Sequence, residues 1–176
     1  MSNSRCLSIH DVLPALPHHQ SHMDLKKKQK ALRLISNGMY IVTSRAGEKY
    51  GGATITWLTQ ASFKPPLVVA AIRPDSKVFE CLSESRLAAV HILAAHQHDI
   101  ARKFLTATEV KNGLMNGEPF VAGKTSVPIL KNITSHIECK VSQMFNAGGD
   151  HILVVMEVTD VEHLDDVKPL LVTDSP

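Results

Sequence analysis

Gly51-Gly52-Ala53-Thr54-Ile55-Thr56-Trp57-Leu58-Thr59-Gln60-Ala61-Ser62-Phe63-Lys64-Pro65-Pro66-Leu67 decides how this chain is read. A strand studded with hydroxyl residues runs into two prolines and then into the apolar stretch Leu67-Val68-Val69-Ala70-Ala71-Ile72. Neither proline can donate a main-chain hydrogen bond, so the ladder stops there and the chain turns. Small side chains on the strand let a flat ligand approach the backbone while their oxygens bond its rim. Threonines are also ordinary strand formers facing solvent, and spacing alone does not separate the two readings.

Outward from this stretch the periodicity is mostly that of strands. Tyr40–Ser44 precedes it across a polar turn, Arg45 to Tyr50, which predicts a hairpin. Leu67 to Arg73 is apolar on both faces and reads as a central strand. Asp75 or Ser76 can cap a short helix carrying Val78, Phe79 and Leu82 on one stripe. Leu87 to Leu93 returns to strand, and Gln97 to Leu105 reads as a second short helix. Thr106 to Lys131, rich in Gly, Asn, Thr and Pro, is expected to be a long loop with one short strand near Phe120-Val121. From Ile133 to Phe145 the alternation predicts Ile133, Ile137, Cys139, Val141 and Phe145 on one face, with Thr134, His136, Glu138 and Lys140 on the other. Gly148-Gly149-Asp150 turns the chain into Ile152–Val158, a second hairpin.

Nearer the start, Asp24 to Asn37 reads as a helix capped by Ser21 or Asp24 and ended by Gly38. Residues 1–22 carry few apolar side chains and are expected to form a flexible arm ahead of one domain over 23–176. Their His10, His18, His19 and His22 match no ligand spacing, so no metal is expected. Many short strands with few helices and no βαβ alternation predict a mostly β fold, an antiparallel sheet rolled into a small barrel that hides its edges.

Composition narrows the function. The 176 residues carry 19 basic and 17 acidic side chains, a net charge of +2, too weak a field to recruit nucleic acid. One Trp and two Tyr give no array of base-stacking platforms. No segment approaches the roughly 20 apolar residues of a membrane span. Cys6, Cys81 and Cys139 are widely spaced and form no CxxC pair, which argues against a disulfide framework and for a cytoplasmic setting. Cys139 reads as a buried thiol. Serines and histidines occur without a Gly-x-Ser-x-Gly elbow, so a hydrolase is not expected.

Three marks occur in order: Gly52 to Pro66, Pro74-Asp75-Ser76-Lys77, and Gly149-Asp150-His151. Together they resemble the flavin reductase-like family over roughly Ala31 to Leu171. The resemblance implies an antiparallel Greek-key FMN-binding split barrel, usually a homodimer with flavin near the subunit interface. It implies noncovalent FMN contacted by Thr54, Thr56 and Trp57, with Ser62 close behind, and its phosphate near Ser76 and Lys77. That last placement agrees with the affinity of helix N-termini for anions. Asp75, a carboxylate beside a phosphate, is expected to point away as the helix cap. The resemblance also implies that His151 faces the flavin and the nicotinamide pocket, and makes Lys111 a candidate for phosphate or substrate contact. Where relatives have Asn-Ser or Ser-Asn-Ser, this chain has Thr56-Trp57. Read from the residues alone, Trp57 is as readily a core side chain, and His151 and Lys111 are as readily structural.

The expected reaction is hydride transfer from NADH or NADPH to flavin, with electrons passed to free flavin feeding a monooxygenase, to ferric iron or to a redox partner. Asn37–Thr43 looks similar to the start of flavin domains in electron-transfer chains, which keeps a module without direct nicotinamide activity as the alternative. A split-barrel binder without redox turnover is the third.

Overall fold

The computed structural model describes residues 23–164 and 166–174. The expected arm over 1–22 lies outside them. The chain divides into two compact units, one ending at Ile35 and one beginning at Ser36. The first contributes α1 (Leu25–Leu32), capped by Asp24, whose carboxylate accepts from the amides of Lys26 and Lys27 at 2.9 and 3.2 Å. The predicted helix was to continue to Asn37, but α1 stops at Leu32.

The second unit explains that stop from its own side. Here Met39 N donates to Leu170 O and Val172 N to Asn37 O, so residues 37–39 are extended beside the C-terminal segment. An extended backbone cannot also be helical.

β1 (Tyr40–Ala46) and β2 (Lys49–Ile55) form the first hairpin, and Ala46 pairs with Lys49. The turn is tighter than the sequence suggested because Gly47, at φ 58°, takes the left-handed corner. The Thr-rich stretch is not one strand. It breaks at Thr56-Trp57, and β3 (Leu58–Phe63) then pairs with β4 (Pro66–Ile72). α2 (Lys77–Ser85), β5 (Leu87–Ile92), α3 (His98–Lys103), β10 (Ser135–Asn146) and β11 (Ile152–His163) complete the main body.

The main sheet has seven antiparallel strands in the order β2-β1-β5-β10-β11-β4-β3. β2 and β3 are therefore opposite edges, yet only two residues separate them in sequence. A flat sheet would hold these edges about 29 Å apart at 4.8 Å per strand. The step from Ile55 to Leu58 can span no more than about 11 Å. The sheet must roll up, and its edges converge at Thr56-Trp57 without pairing along their length. That is a split barrel.

β4 lies one strand from an edge, with Val68, Ala70 and Ile72 inward and Leu67, Val69 and Ala71 half-buried. The apolar run thus alternates, contrary to its reading as a central strand. The interior holds Val42, Val68, Ala70, Ile72, Val90, Cys139, Val154 and Met156, and α2 adds Val78 and Leu82. Each fully buried aliphatic side chain contributes roughly 1.5–3 kcal/mol. Cys139 is fully buried and burial pushes its thiol up to about 12, so the inert thiol is found as expected.

The stretch expected to be a loop is a second sheet. β6 (Val110–Lys111), β7 (Leu114–Met115), β8 (Glu118–Ala122) and β9 (Pro128–Leu130) follow one another in antiparallel order. Asn112-Gly113 and Asn116-Gly117 all have positive φ and form two-residue hairpin turns. The missed signal was this repeated Asn-Gly pair. Met115 and Leu130 of this sheet join Ile41, Leu93, Phe104 and Leu170 in a second core.

That sheet also breaks the expected two-faced pattern of β10. His136 and Glu138, predicted on the polar face, are both buried, whereas Phe145 is exposed. Irregularities at Glu138/Cys139 and Val141/Gln143 shift the register. Burial would raise the carboxyl of Glu138, but the Thr125 hydroxyl and the amides of Thr125 and Lys124 donate to it and hold it below its ordinary value. The 123–125 turn exists in part to satisfy this buried carboxylate.

Candidate functional site

α2 begins where the barrel needs a close approach. A Cβ on Gly51 would lie 2.5 Å from both Lys77 O and Val78 Cα, so only glycine lets β2 touch this backbone. Gly52 is tight as well, with Phe104 Cε1 and Met115 Sδ 2.9 Å from a built Cβ. The pair sets the first turn of α2 against the strand.

Ser76 is the N-cap. Its hydroxyl accepts from Phe79 N at 3.3 Å and donates to Arg73 O at 2.7 Å. Asp75 does not cap the helix as expected. It holds the Arg73 guanidinium in a two-point pair, at 3.0 and 2.6 Å, which keeps its carboxyl below the ordinary range. The negative charge nearest the helix terminus is thereby matched by a positive one. Lys77 is exposed and joins no salt bridge among the described residues.

Along the free edge of β2 runs the segment after α3. Thr54 N donates to Phe104 O at 3.0 Å, and Gly52 N donates to the Thr108 hydroxyl at 2.9 Å. Thr54 is committed to this brace, because its hydroxyl donates to Ala101 O at 2.7 Å. Thr56 is different: its hydroxyl has no partner among the described residues. The β2–β3 connection is tied to β4 by Ala71 N donating to Trp57 O at 2.9 Å.

A cleft of about 550 Å³ opens between these parts. Gly52 to Trp57 form its wall, Arg73, Asp75, Ser76 and Lys77 its charged lining, and Ala71, Val78, Phe104 to Thr108 and His151 complete it. Six sequence candidates converge there: Thr54, Thr56, Trp57, Ser76, Lys77 and His151. Ser62, near the far end of β3, and Lys111, on β6, do not line it. Arg73, Phe104, Thr106 and Thr108 line it and were not anticipated. The segment 104–108 carries no motif, since its role comes from bonds to β2 that only the fold creates.

Trp57 is no core residue; it is 53% exposed. The His151 ring lies 4.8 Å from it, inclined at 55°. Nδ1 of His151 is 2.8 Å from an Asp150 carboxylate oxygen, a second contact that orients the ring. The cleft thus combines an aromatic pair, a helix N-terminus with an exposed lysine, and a wall of strand backbone. Among the described residues no group of His, Cys, Asp and Glu is placed to hold a metal.

A rolled antiparallel sheet with a ligand-sized cleft at its seam defines the class of the split β-barrels. The chain belongs to the family of the flavin reductase like domain, which matches residues 32–175. It is similar to diflavin flavoprotein A 1 of Synechocystis, 28% identical over 75% of this chain and 23% of that one. It is also similar to the reductase component of 4-hydroxyphenylacetate 3-monooxygenase from Thermus thermophilus, 29% identical over 81% of this chain and 88% of that one. This chain therefore spans less than a quarter of the first relative and most of the second. The NADH:FAD oxidoreductase of Streptomyces globisporus superposes with a TM-score of 0.73 at 24% identity, over 88% of this chain and 93% of that one, and so shares the fold.

Proposed function

We propose that this chain binds FMN noncovalently in the cleft and works in the cytoplasm as an NAD(P)H:flavin oxidoreductase, passing electrons to a separate acceptor. The observation that carries this reading is the make-up of the cleft: Ser76 and Lys77 at a helix N-terminus share one lining with the aromatic pair Trp57 and His151. An isoalloxazine joined to one phosphate calls for both an aromatic surface and an anion site. The volume falls within the roughly 300–1,000 Å³ of small-molecule sites, and the lining mixes Ile55, Val78 and Phe104 with hydroxyl groups.

The amides of the first turn of α2 and the Lys77 ammonium hold the phosphate. Thr56 and the backbone of the β2–β3 connection meet the rim of the ring. Trp57 covers apolar surface and excludes water. His151, held by Asp150, presents its remaining nitrogen and can hold or give a proton beside the reacting partners. When bound, the flavin supplies the two-electron chemistry, accepting hydride from a reduced nicotinamide.

A homodimer completes this reading. Phe145 and Leu153, directly paired across β10 and β11, are 48% and 39% exposed, an apolar outer surface for a second copy. A dimeric mass by light scattering is expected; a monomer that binds FMN fully would remove the interface from the site. The Thermus relative, by its name, is the reductase half of a monooxygenase, which supports a monooxygenase or other redox partner as acceptor here.

The similarity to a short part of a diflavin flavoprotein supports a second reading, an FMN electron carrier reduced by another protein. Anaerobic titration of FMN-loaded protein with NADH and then NADPH separates the two. Rapid bleaching of the oxidised-flavin band is the expected result, whereas a persistent band with both donors points to a carrier or a binding module.

A further inference from the structure

Residues 104–108 line the cleft but bury little of themselves: Phe104 is buried, whereas Leu105, Thr106 and Ala107 are exposed. They run between α3 and β6 and belong to neither, so the bonds at their two ends set their course. One side chain holds both ends. Asn116, in the turn from β7 to β8, donates from Nδ2 to Lys103 O at 2.8 Å and accepts at Oδ1 from Glu109 N at 2.7 Å. Its own amide donates to Glu109 O at 2.8 Å. Residues 103 and 109 are thereby fastened together, and the five residues between them form a closed strap. Asn116 itself does not line the cleft.

The turn alone does not require this fastening. Asn112 opens the preceding Asn-Gly turn with a similar positive φ, 52° against 47°, yet its side chain makes no hydrogen bond among the described residues. The two ends of the strap also differ in strength. Glu118, buried on β8, accepts from Lys103 Nζ at 2.6 Å and from Asn132 Nδ2 at 2.8 Å. Moving Lys103 would leave that carboxylate short of a partner away from water, which is costly. Glu109 is exposed, and beside it only the Thr108 hydroxyl, which accepts from Gly52 N and donates to Gly52 O at 2.9 Å each, ties the strap to β2. The Lys103 end is the hinge and the Glu109 end is the one that yields.

We infer that Asn116 is a positioning residue that holds the 104–108 strap shut and so sets how fast a bound flavin leaves the cleft. The inference rests on the proposed seat of the flavin in that cleft. A segment held by a few hydrogen bonds and little buried surface opens without unfolding the barrel. Opening of such a lid commonly limits the release of what lies beneath it.

The test uses two variants. Asn116→Gly suits the positive φ and removes only the side-chain bonds. Asn116→Asp keeps the acceptor for Glu109 N but turns a second acceptor towards Lys103 O. The FMN dissociation rate, followed by flavin fluorescence on dilution, should rise about tenfold in Asn116→Gly and about threefold in Asn116→Asp. The reduction rate at saturating FMN and NADH should stay within about twofold of wild type, because the strap positions the ligand and takes no part in the chemistry. Amides 105–109 of the ligand-free variants should exchange faster. Gly47→Ala, which strains a turn outside the strap, is the control: it should lose stability and keep the wild-type dissociation rate. An equal rise in that control would mark general loosening and overturn the inference. Faster exchange with an unchanged dissociation rate would remove the strap from the exit and leave the flavin site standing. Unchanged exchange and rate would make Asn116 a turn residue only. If wild type holds no FMN, the seat fails and the inference with it.

Discussion

The indole of Trp57 and the imidazole of His151 sit 4.8 Å apart at 55°, although 93 residues of sequence separate them. They meet because β3 and β11 both flank β4, so the start of each strand falls at the same end of the barrel.

Trp57 is the sole tryptophan, so its fluorescence reports on this end of the cleft alone. Added FMN is expected to quench it strongly. His151→Ala should lower the rate of flavin reduction about tenfold with little change in thermal midpoint. An unquenched Trp57 in protein shown by dialysis to hold FMN would remove it from the site.

Ser76 and Lys77 have separable roles. Ser76→Ala removes a cap and should cost about 1 kcal/mol in urea denaturation. The double change with Lys77→Ala should weaken FMN by at least tenfold while leaving riboflavin, which lacks the phosphate, unaffected. Equal losses for both ligands would instead indicate a damaged cleft.

Gly51→Ala places a methyl 2.5 Å from the backbone of Lys77 and Val78. Backbone yields less readily than a side-chain tip, so about 1–3 kcal/mol of destabilisation is expected. FMN affinity should fall too, because α2 must retreat from the wall. Gly47→Ala is the control: nothing lies within 4 Å, and the cost comes only from its positive φ, about 1 kcal/mol.

His91 gives the fold a pH dependence. It is fully buried, with Nδ1 3.0 Å from Ile41 O and Nε2 accepting from Leu130 N at 2.9 Å, an arrangement that requires the neutral ring. Burial lowers its pKa to about 4, with the ring of His136, 5.9 Å away, adding in the same direction. The unfolded chain binds the proton near pH 6.5, so the stabilisation is complete above that and is lost as pH falls towards 4. On the order of 3 kcal/mol is at stake. Urea midpoints should fall between pH 6.5 and 5, before most carboxylates titrate; a flat profile there would falsify the assignment.

Most strands of the main sheet were legible from their burial alternation, although β2 and β3 read as one, and the two hairpins were legible from a polar turn in the first and a Gly-marked turn in the second. The caps of α1 and α2 were each narrowed by the same local signal to two residues, Ser21 or Asp24 and Asp75 or Ser76, and at the second Asp75 was favoured where Ser76 does the capping. What escaped depends on contacts made at a distance. Glu138 reads as a surface residue until the 123–125 turn wraps its carboxylate. Thr54 lines the cleft as expected, but the bond from its hydroxyl to Ala101 O could not be foreseen. Trp57 could not be placed from sequence, since its exposure follows from the break between β2 and β3. Arg73 was invisible as a site residue because its partner, Asp75, was assigned to the cap.

The two-residue passage from β2 to β3 has a consequence for how the molecule yields. Every other join in the main sheet is a hydrogen-bonded ladder, whereas here the edges are held by the covalent chain and the bond from Ala71 of β4 to Trp57 of the connection. This is where the barrel has least redundancy and where local opening begins, so amides of β2 and β3 should exchange first in the ligand-free protein. A molecule seated in the cleft touches β2, the Thr56-Trp57 connection and β4 at Ala71. It therefore acts as a clasp, and the protein's resistance to unfolding should rise with the logarithm of ligand concentration.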